Sequence, residues 1–175
     1  MGADKALLQV RGMPLIQHIH AQLTNWFDTI VISADPKADY GFPPGEIIPD
    51  EIPNQGPLMA VYSILKALNQ PTFVVAVDIP ELPPSLVTAL LTLARENLTS
   101  PAVVPVTPKG EYEPLFALYR PQILPAIEKA LSENMRHVYG LFSEVQVTRY
   151  TLQPHEKLLN LNHPRDYRHY IASNH

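Results

Sequence analysis

Two segments in the first third of the sequence carry residues that suit the binding of a phosphorylated ligand. In the first, Gly2 allows close backbone approach and Lys5 supplies a point charge for phosphate. In the second, residues 54–58 (NQGPL), Gly56 and Pro57 lie just before a predicted helix, whose N-terminus can receive an anion. Simpler interpretations stay open for both, because an Asp-Lys pair is common on protein surfaces and NQGPL is also typical of a tight turn.

A third candidate is Asp78, which directly follows the unbroken apolar run of residues 73–77. A carboxylate at the mouth of a buried strand is costly unless it is hydrated, hydrogen-bonded or bound to a metal. Magnesium takes oxygen ligands and usually needs only one or two carboxylates together with substrate phosphates. Asp78 therefore suits a magnesium site, and it equally suits a helix cap or a turn acceptor.

The fourth candidate is the pair Asn160 and Asn162 in the segment NLNHP. Residues two apart in an extended segment point to the same side. Two carboxamides on one side can hold a metal-bound water or a phosphate oxygen. Asparagine also favours turns before proline, so a purely structural interpretation stays open.

The apolar run FVVAV at residues 73–77 predicts the element that positions Asp78. An uninterrupted run of this kind is typical of a strand buried on both faces, in the middle of a parallel sheet covered by helices. Asp78 then lies at the carboxyl end of that strand. In open α/β sheets, ligands bind at this edge.

The rest of the sequence alternates between strand and helix patterns. Predicted strands cover residues 29–33, 46–48, 101–106, 113–119 and 145–150. Predicted helices cover residues 14–26, 58–68, 86–97, 121–131, 135–142 and 164–171, and a proline-rich loop covers residues 36–45. The alternation predicts a three-layer, Rossmann-like α/β fold with a mostly parallel central sheet. The length of 175 residues fits a single domain over residues 1–175.

Composition excludes several classes of function. The net charge is −4 and no basic block is longer than two residues, so we expect no nucleic-acid partner. The absence of cysteine excludes disulfides, zinc-cysteine sites and a cysteine nucleophile. No apolar run approaches the roughly 20 residues that span a bilayer, so we expect no membrane contact and a cytoplasmic location. The seven histidines lack metal-ligand spacing and are predicted to lie on the surface.

Five segments together resemble the MobA family of molybdenum cofactor guanylyltransferases, within the wider nucleotidyltransferase fold of sugar-nucleotide pyrophosphorylases. In the order of the family, they are residues 1–19 (MGADKALLQVRGMPLIQHI), 50–65 (DEIPNQGPLMAVYSIL), 74–84 (VVAVDIPELPP), 113–119 (EPLFALY) and 159–167 (LNLNHPRDY). Each segment is short, but their common order over nearly the whole chain makes the resemblance fairly specific.

The resemblance implies roles for individual residues. Lys5 matches a lysine that neutralises the triphosphate, and Asp78 matches an aspartate associated with magnesium. Asp50 matches an aspartate assigned to nucleotide recognition. Asn160 and Asn162 match asparagines beside the reaction centre and the metal.

Further nucleotide contacts are implied at Gly56, Pro57 and Ser33, although better-known members have asparagine in place of Ser33. The implied activity is transfer of GMP from GTP to molybdopterin with Mg²⁺ as cofactor. The implied partners are GTP, molybdopterin and molybdoenzyme maturation proteins, with the enzyme a monomer or weak homo-oligomer. Open alternatives are a molybdopterin cytidylyltransferase, another small-phosphate nucleotidyltransferase, and a non-enzymatic protein that binds and delivers the pterin.

One departure from the family lies at the start of the sequence. The family begins with a strand and a loop of the type LAGGxSxRMG, whereas this sequence begins at the final Met-Gly. The resemblance places that strand inside the sheet, beside Asp78. We therefore hypothesise that an N-terminal segment precedes the given sequence, and reading the gene in frame upstream tests this.

Overall fold

The computed structural model describes residues 4–35, 37, 40 and 46–173. Its strands are β1 (Gln9–Val10), β2 (Met13–Pro14), β3 (Val31–Ser33), β4 (Glu46–Ile48), β5 (Thr72–Val75), β6 (Ala102–Val106), β7 (Phe116–Tyr119) and β8 (Thr148–Thr151). Its α-helices are α1 (Leu15–Leu23), α2 (Pro57–Leu68), α3 (Pro84–Glu96), α4 (Leu124–Ser132) and α5 (Pro164–Ser173). Short 3₁₀ turns cover Lys5–Leu7, Pro121–Ile123 and Val138–Ser143.

The largest sheet has four strands in the order β5-β7-β6-β8. β6 and β8 are parallel, whereas β7 is antiparallel to both β5 and β6. Three of the four strands therefore point in one direction, which confirms the predicted mostly parallel sheet. β3 and β4 form a separate parallel pair, and β1 and β2 form a tight hairpin.

Helices cover both faces of the four-stranded sheet, which confirms the three-layer architecture. Along β7, Phe116 and Leu118 enter the core beneath α1, α3 and α5, whereas Ala117 and Tyr119 enter the core beneath α2 and α4. This alternation follows from the period of two residues in a strand. The site therefore rests on a sheet that is packed from both sides.

Most predicted elements occur where the sequence pattern placed them, with shifted ends. α2 begins at Pro57, and the residue before it, Gly56, has a φ of +79° that suits glycine. The segment predicted as a helix at residues 135–142 is a 3₁₀ turn instead. The hairpin around Arg11 and Gly12 was not predicted, and residues 36–45 lie mostly outside the described part of the chain. None of the described helices is long and apolar enough to cross a membrane.

The environment predicted for β5 is wrong. Its only strand partner in the described part of the chain is β7, and that pairing is antiparallel. All four residues of β5 are half-buried, although the sequence predicted full burial. The reason is that the other edge of β5 borders a cavity and carries no strand among the described residues.

Leu161 provides a test of how the C-terminal segment docks on this core. Its side chain is fully buried, whereas Leu159, two residues earlier, is 41% exposed. We expect Leu161→Ala to lower the free energy of unfolding by about 2–5 kcal/mol, because it leaves a cavity. Leu159→Ala is the matched control and should change it by less than about 0.5 kcal/mol. Equal effects in denaturant titrations would contradict this packing.

Candidate active site

The carboxyl ends of β3 and β4 bring together two of the predicted site residues. Ser33 ends β3 and is paired in register with Ile48 of β4, and Asp50 follows two residues later. The Ser33 hydroxyl donates a hydrogen bond to Asp50 Oδ1 over 3.1 Å. Because neighbouring parallel strands end at the same edge, Asp50 and Ser33 form one polar pair.

Lys5 and Asp78 meet at the carboxyl end of β5. The Asp4 carboxylate accepts a hydrogen bond from the Ala6 N–H and starts the 3₁₀ turn that carries Lys5. Lys5 Nζ then lies 3.7 Å from Asp78 Oδ2, with the two side chains 31% and 25% exposed. An ion pair this open to solvent adds little stability, so both charged groups stay accessible to a ligand.

The segment that carries Asn160 and Asn162 contacts Asp78 through the backbone of Leu161. The Leu161 N–H donates a 2.7 Å hydrogen bond to the Asp78 carbonyl, while the Leu161 side chain is buried in the core. Asn160 is half-buried and Asn162 is exposed. Neither carboxamide has a hydrogen-bond partner among the described residues, so both are available to a ligand.

The turn after Asp78 is fixed by Gln22 of α1. The Gln22 side-chain amide donates to the Pro80 carbonyl over 2.8 Å, and its Oε1 accepts the Leu82 N–H over 2.9 Å. One side chain thus satisfies two backbone groups of the turn. Buried backbone groups need such partners, so Gln22 holds the loop that presents Asp78.

Glu81, in the same turn, contacts residues near both the N-terminus and the C-terminus of the chain. One carboxylate oxygen, Oε1, accepts a hydrogen bond from the Tyr170 hydroxyl of α5 and lies 3.1 Å from the Arg11 guanidinium and 3.5 Å from His18 Nε2. Burial, followed by the bond to Glu81, raises the pKa of Tyr170. His18 is only 6% exposed, so the prediction that the histidines are all on the surface is wrong for this residue. It is buried because α1 packs against the turn.

Glu113 is a site residue that the sequence analysis did not identify. It is half-buried, and burial, then the negative charges of Glu111 and Asp78, raise the pKa of its carboxyl group. Because β7 runs antiparallel to β5, its amino end adjoins the carboxyl end of β5, where the Ala76 N–H donates to the Leu115 carbonyl. If the antiparallel pairing of β5 and β7 had been predicted, it would have placed Glu113 near Asp78.

At the N-terminus of α2, Gly56 lies directly against the backbone of Arg136. A Cβ atom at Gly56 would stand 3.1 Å from the Arg136 carbonyl oxygen, which already accepts the Leu58 N–H over 3.3 Å. One amide of this helix start is therefore satisfied within the protein. Pro57 lines the neighbouring cavity, and ligand binding by Gly56 and Pro57 stays a prediction.

Asp78 is an oxygen donor of the kind that divalent cations such as magnesium bind. In the described part of the chain, no group of three or more His, Asp or Glu residues forms a ready-made metal cage. Magnesium commonly binds one or two carboxylates and completes its shell with water and substrate phosphates. The negative charge of Asp78 contributes to the raised pKa of Glu113, so a cation bound at Asp78 would relieve this repulsion. Asn160 and Asn162 flank Leu161, whose N–H bonds the Asp78 carbonyl, and they carry neutral oxygen donors.

Similarity to known proteins identifies the family of this chain. The sequence profile of the family described as the MobA-like NTP transferase domain matches residues 1–147. The chain belongs to this family. Members of this family are nucleotidyltransferases. Lys5, Asp78 and the strands β5, β6 and β7 lie within the matched region. β8, Asn160 and Asn162 lie beyond it.

Named relatives cover nearly the whole chain. A probable molybdenum cofactor guanylyltransferase of Carboxydothermus hydrogenoformans is 31% identical over 95% of this chain and 86% of its own length. A molybdenum cofactor guanylyltransferase of Pseudomonas putida is 31% identical over 93% of this chain and 86% of its own. The crystal structure of molybdopterin-guanine dinucleotide biosynthesis protein A from Archaeoglobus fulgidus is similar with a TM-score of 0.82 and 20% identity, covering 98% of this chain and 91% of that one. The last similarity confirms the predicted nucleotidyltransferase fold.

Glu113 allows a test of the site's electrostatics through pH. Its raised pKa means that the native state holds this proton more firmly than the unfolded chain, so stability falls as pH rises through the window between the two pKa values. We expect Glu113→Gln to raise the free energy of unfolding at pH 7. The gain should vanish below the ordinary glutamate pKa of 4.5, where wild-type Glu113 is protonated in both states.

The matched control is Glu46→Gln, at an exposed position at the start of β4. It should show no comparable gain at pH 7. Urea titrations between pH 4 and pH 8 measure both variants. A Glu113→Gln protein that is less stable than wild type at pH 7 would contradict the assignment.

Proposed function

We propose that this protein transfers GMP from GTP to molybdopterin that carries molybdenum, giving the molybdopterin guanine dinucleotide cofactor and pyrophosphate. The observation that carries the proposal is the convergence of Lys5, Asp78 and the Asn160–Asn162 segment at one strand end. Relatives named as molybdenum cofactor guanylyltransferases support this choice of substrates.

In the proposed reaction, an oxygen of the terminal phosphate of molybdopterin attacks the α-phosphorus of GTP. A new P–O bond forms, the bond between the α- and β-phosphates breaks, and pyrophosphate leaves. A phosphate monoester is already anionic near neutral pH, so the nucleophile needs no strong general base. Catalysis then depends on positioning the two substrates and on neutralising charge.

Lys5 is proposed to neutralise the triphosphate and the charge that develops on the leaving pyrophosphate. Asp78 would hold Mg²⁺, assisted by Glu113 and the carboxamide oxygens of Asn160 and Asn162. When bound, the ion would supply positive charge that offsets the charge of the phosphates. Hydrogen bonds of Gln22 and Glu81 hold the turn that presents Asp78, which supports this proposed role.

Ser33 and Asp50 are proposed to contact the nucleoside. Their mutual hydrogen bond leaves the second carboxylate oxygen of Asp50 as an acceptor for hydroxyl or amino groups of the nucleotide. Gly56 and Pro57 would border the same nucleotide from the start of α2. We place the protein in the cytoplasm as a monomer or weak homo-oligomer that passes its product to molybdoenzyme maturation proteins.

Replacement of the proposed metal ligand tests the mechanism. We expect Asp78→Ala to lower kcat for pyrophosphate release from GTP and molybdopterin by at least about a hundredfold, because a carboxylate ligand is lost. Stability should fall by no more than about 1 kcal/mol, because the Lys5–Asp78 ion pair is solvated. Glu96→Ala, at the exposed end of α3, is the control and should keep full activity. Near-normal turnover of Asp78→Ala with magnesium would rule out this role.

The nucleotide contacts are tested with GTP and CTP in competition. We expect wild type to consume GTP in preference to CTP, and both Ser33→Ala and Asp50→Asn to raise KM for GTP more than they lower kcat. Because the two side chains share a hydrogen bond, the double variant should show an effect smaller than the sum of the single ones. Additive effects would show that the pair does not act as a unit. Equal use of CTP would favour the cytidylyltransferase alternative.

A further inference from the structure

Helix α5 contacts two separate segments of the chain through a pair of tyrosines. The Tyr167 hydroxyl donates a 2.7 Å hydrogen bond to the Gln9 carbonyl of β1. The Tyr170 hydroxyl donates to Oε1 of Glu81, in the turn that follows β5. Residues three apart are neighbours on the surface of a helix, so both hydroxyls extend from one face of α5. One rigid element therefore binds β1 and this turn at the same time.

These two segments carry the charged pair of the candidate site. Lys5 lies four residues before Gln9, and Asp78 lies three residues before Glu81. The segments also meet directly, because Lys5 Nζ lies 3.7 Å from Asp78 Oδ2. A second ion pair joins the Arg11 guanidinium to the Glu81 carboxylate over 3.1 Å. Both ion pairs are open to solvent, so attraction between the charges fixes the separation of the segments only weakly.

Helix α5 also fixes the third segment of the site, residues 160–162, because it begins directly after them. The Asp166 carboxylate accepts a 2.7 Å hydrogen bond from the His163 N–H, which is one half of a capping box. This bond sets the direction in which the chain enters the helix. The Leu161 N–H bonds the Asp78 carbonyl just before that point. The positions of α5 and of this segment are therefore set together.

Packing holds both tyrosine rings in place. Tyr170 is only 2% exposed and belongs to the core on the face of the sheet that α1 and α3 cover. A buried hydroxyl needs a hydrogen-bond partner, and Glu81 supplies it. Tyr167 is half-buried against the same core. Because the rings are fixed, their hydroxyls determine where the Gln9 carbonyl and the Glu81 carboxylate lie relative to α5.

We propose that Tyr167 and Tyr170 form a clamp that holds the two charged segments of the site at a fixed separation for nucleotidyl transfer. Its effect on turnover rests on the proposed function, in which Lys5 and Asp78 act on the phosphates and the metal. The tyrosines are positioning residues, since each acts through the segment that it binds. Displacement of a reacting group by about 1 Å can lower a rate by about a hundredfold, so a loosened clamp is costly.

Removal of one hydroxyl at a time tests the clamp. We expect Tyr170→Phe to lower kcat for pyrophosphate release from GTP and molybdopterin by about tenfold. Tyr167→Phe should lower it by about threefold, because its bond to Gln9 is exposed and water can replace the hydroxyl. KM for GTP should change by less than about twofold in both variants, because the proposed nucleoside contacts Ser33 and Asp50 lie at the ends of β3 and β4.

Tyr62→Phe is the matched control. Tyr62 is 8% exposed, and its hydroxyl donates to a carboxylate oxygen of Glu128 over 2.9 Å. The change therefore removes the same kind of tyrosine–glutamate bond, but between α2 and α4 on the opposite face of the sheet. We expect this variant to keep the kcat of the wild type.

Hydrogen exchange of the Leu161 amide provides a readout that does not depend on activity. This N–H bonds the Asp78 carbonyl, so its exchange rate reports whether the C-terminal segment stays docked on the turn. We expect Tyr170→Phe to speed its exchange by at least about fivefold, while the amides of β6 keep their wild-type rates. Tyr62→Phe should leave exchange at Leu161 unchanged.

Three results would overturn the proposal. In the first, exchange at Leu161 is unchanged in Tyr170→Phe, so the hydroxyl holds nothing in place. In the second, exchange is faster but kcat is that of the wild type, which would limit the tyrosine to a structural role. In the third, Tyr62→Phe lowers kcat equally, which would assign the loss to stability. Failure of the proposed function is distinguishable, because the wild type itself would then release no pyrophosphate, whereas the exchange rates would still test the clamp.

Discussion

A single backbone hydrogen bond, from the Leu161 N–H to the Asp78 carbonyl, determines the geometry of the candidate site. It docks the C-terminal segment onto the turn at the end of β5, and burial of the Leu161 side chain keeps it there. Asn160 and Asn162 flank Leu161, so this bond brings their segment to the turn that carries Asp78. The site thus depends on contact between segments more than 80 residues apart in the sequence.

The turn that carries Asp78 is rigid because several elements hold it. Gln22 binds two of its backbone groups, and the Glu81 carboxylate gathers Arg11, His18 and Tyr170. These supports satisfy the polar groups of the turn and leave the Asp78 carboxylate accessible. A preorganised group of this kind loses little entropy when a ligand binds, which suits electrostatic catalysis.

The excess of carboxylate over cationic charge gives the site its chemical character. Lys5 is the cation beside Asp78, and burial, then the charges of Glu111 and Asp78, raise the pKa of Glu113. A triphosphate would be repelled by such a corner without a bound cation. In the proposed reaction, a divalent ion that accompanies the nucleoside triphosphate would offset this charge.

The sequence by itself determined the strand and helix alternation, the family, and the candidate residues that follow apolar runs, because burial imposes a readable period on each element. The sequence alone identifies Lys5, Asp78, Ser33 and Asp50 as candidates. The structure places Lys5 beside Asp78 and Ser33 beside Asp50. Their chemical roles stay predictions.

Only the tertiary structure decided the pairing of the strands and what it brings to the site. β7 is antiparallel to β5, and this pairing places Glu113 close enough to Asp78 for its charge to raise the pKa of Glu113. The cavity beside β5 leaves that strand half-buried. Neither fact is visible in local periodicity, because an apolar run specifies burial but not which neighbour provides it. His18 was missed for the same reason, since its burial depends on packing of α1 against a turn that is distant in the sequence.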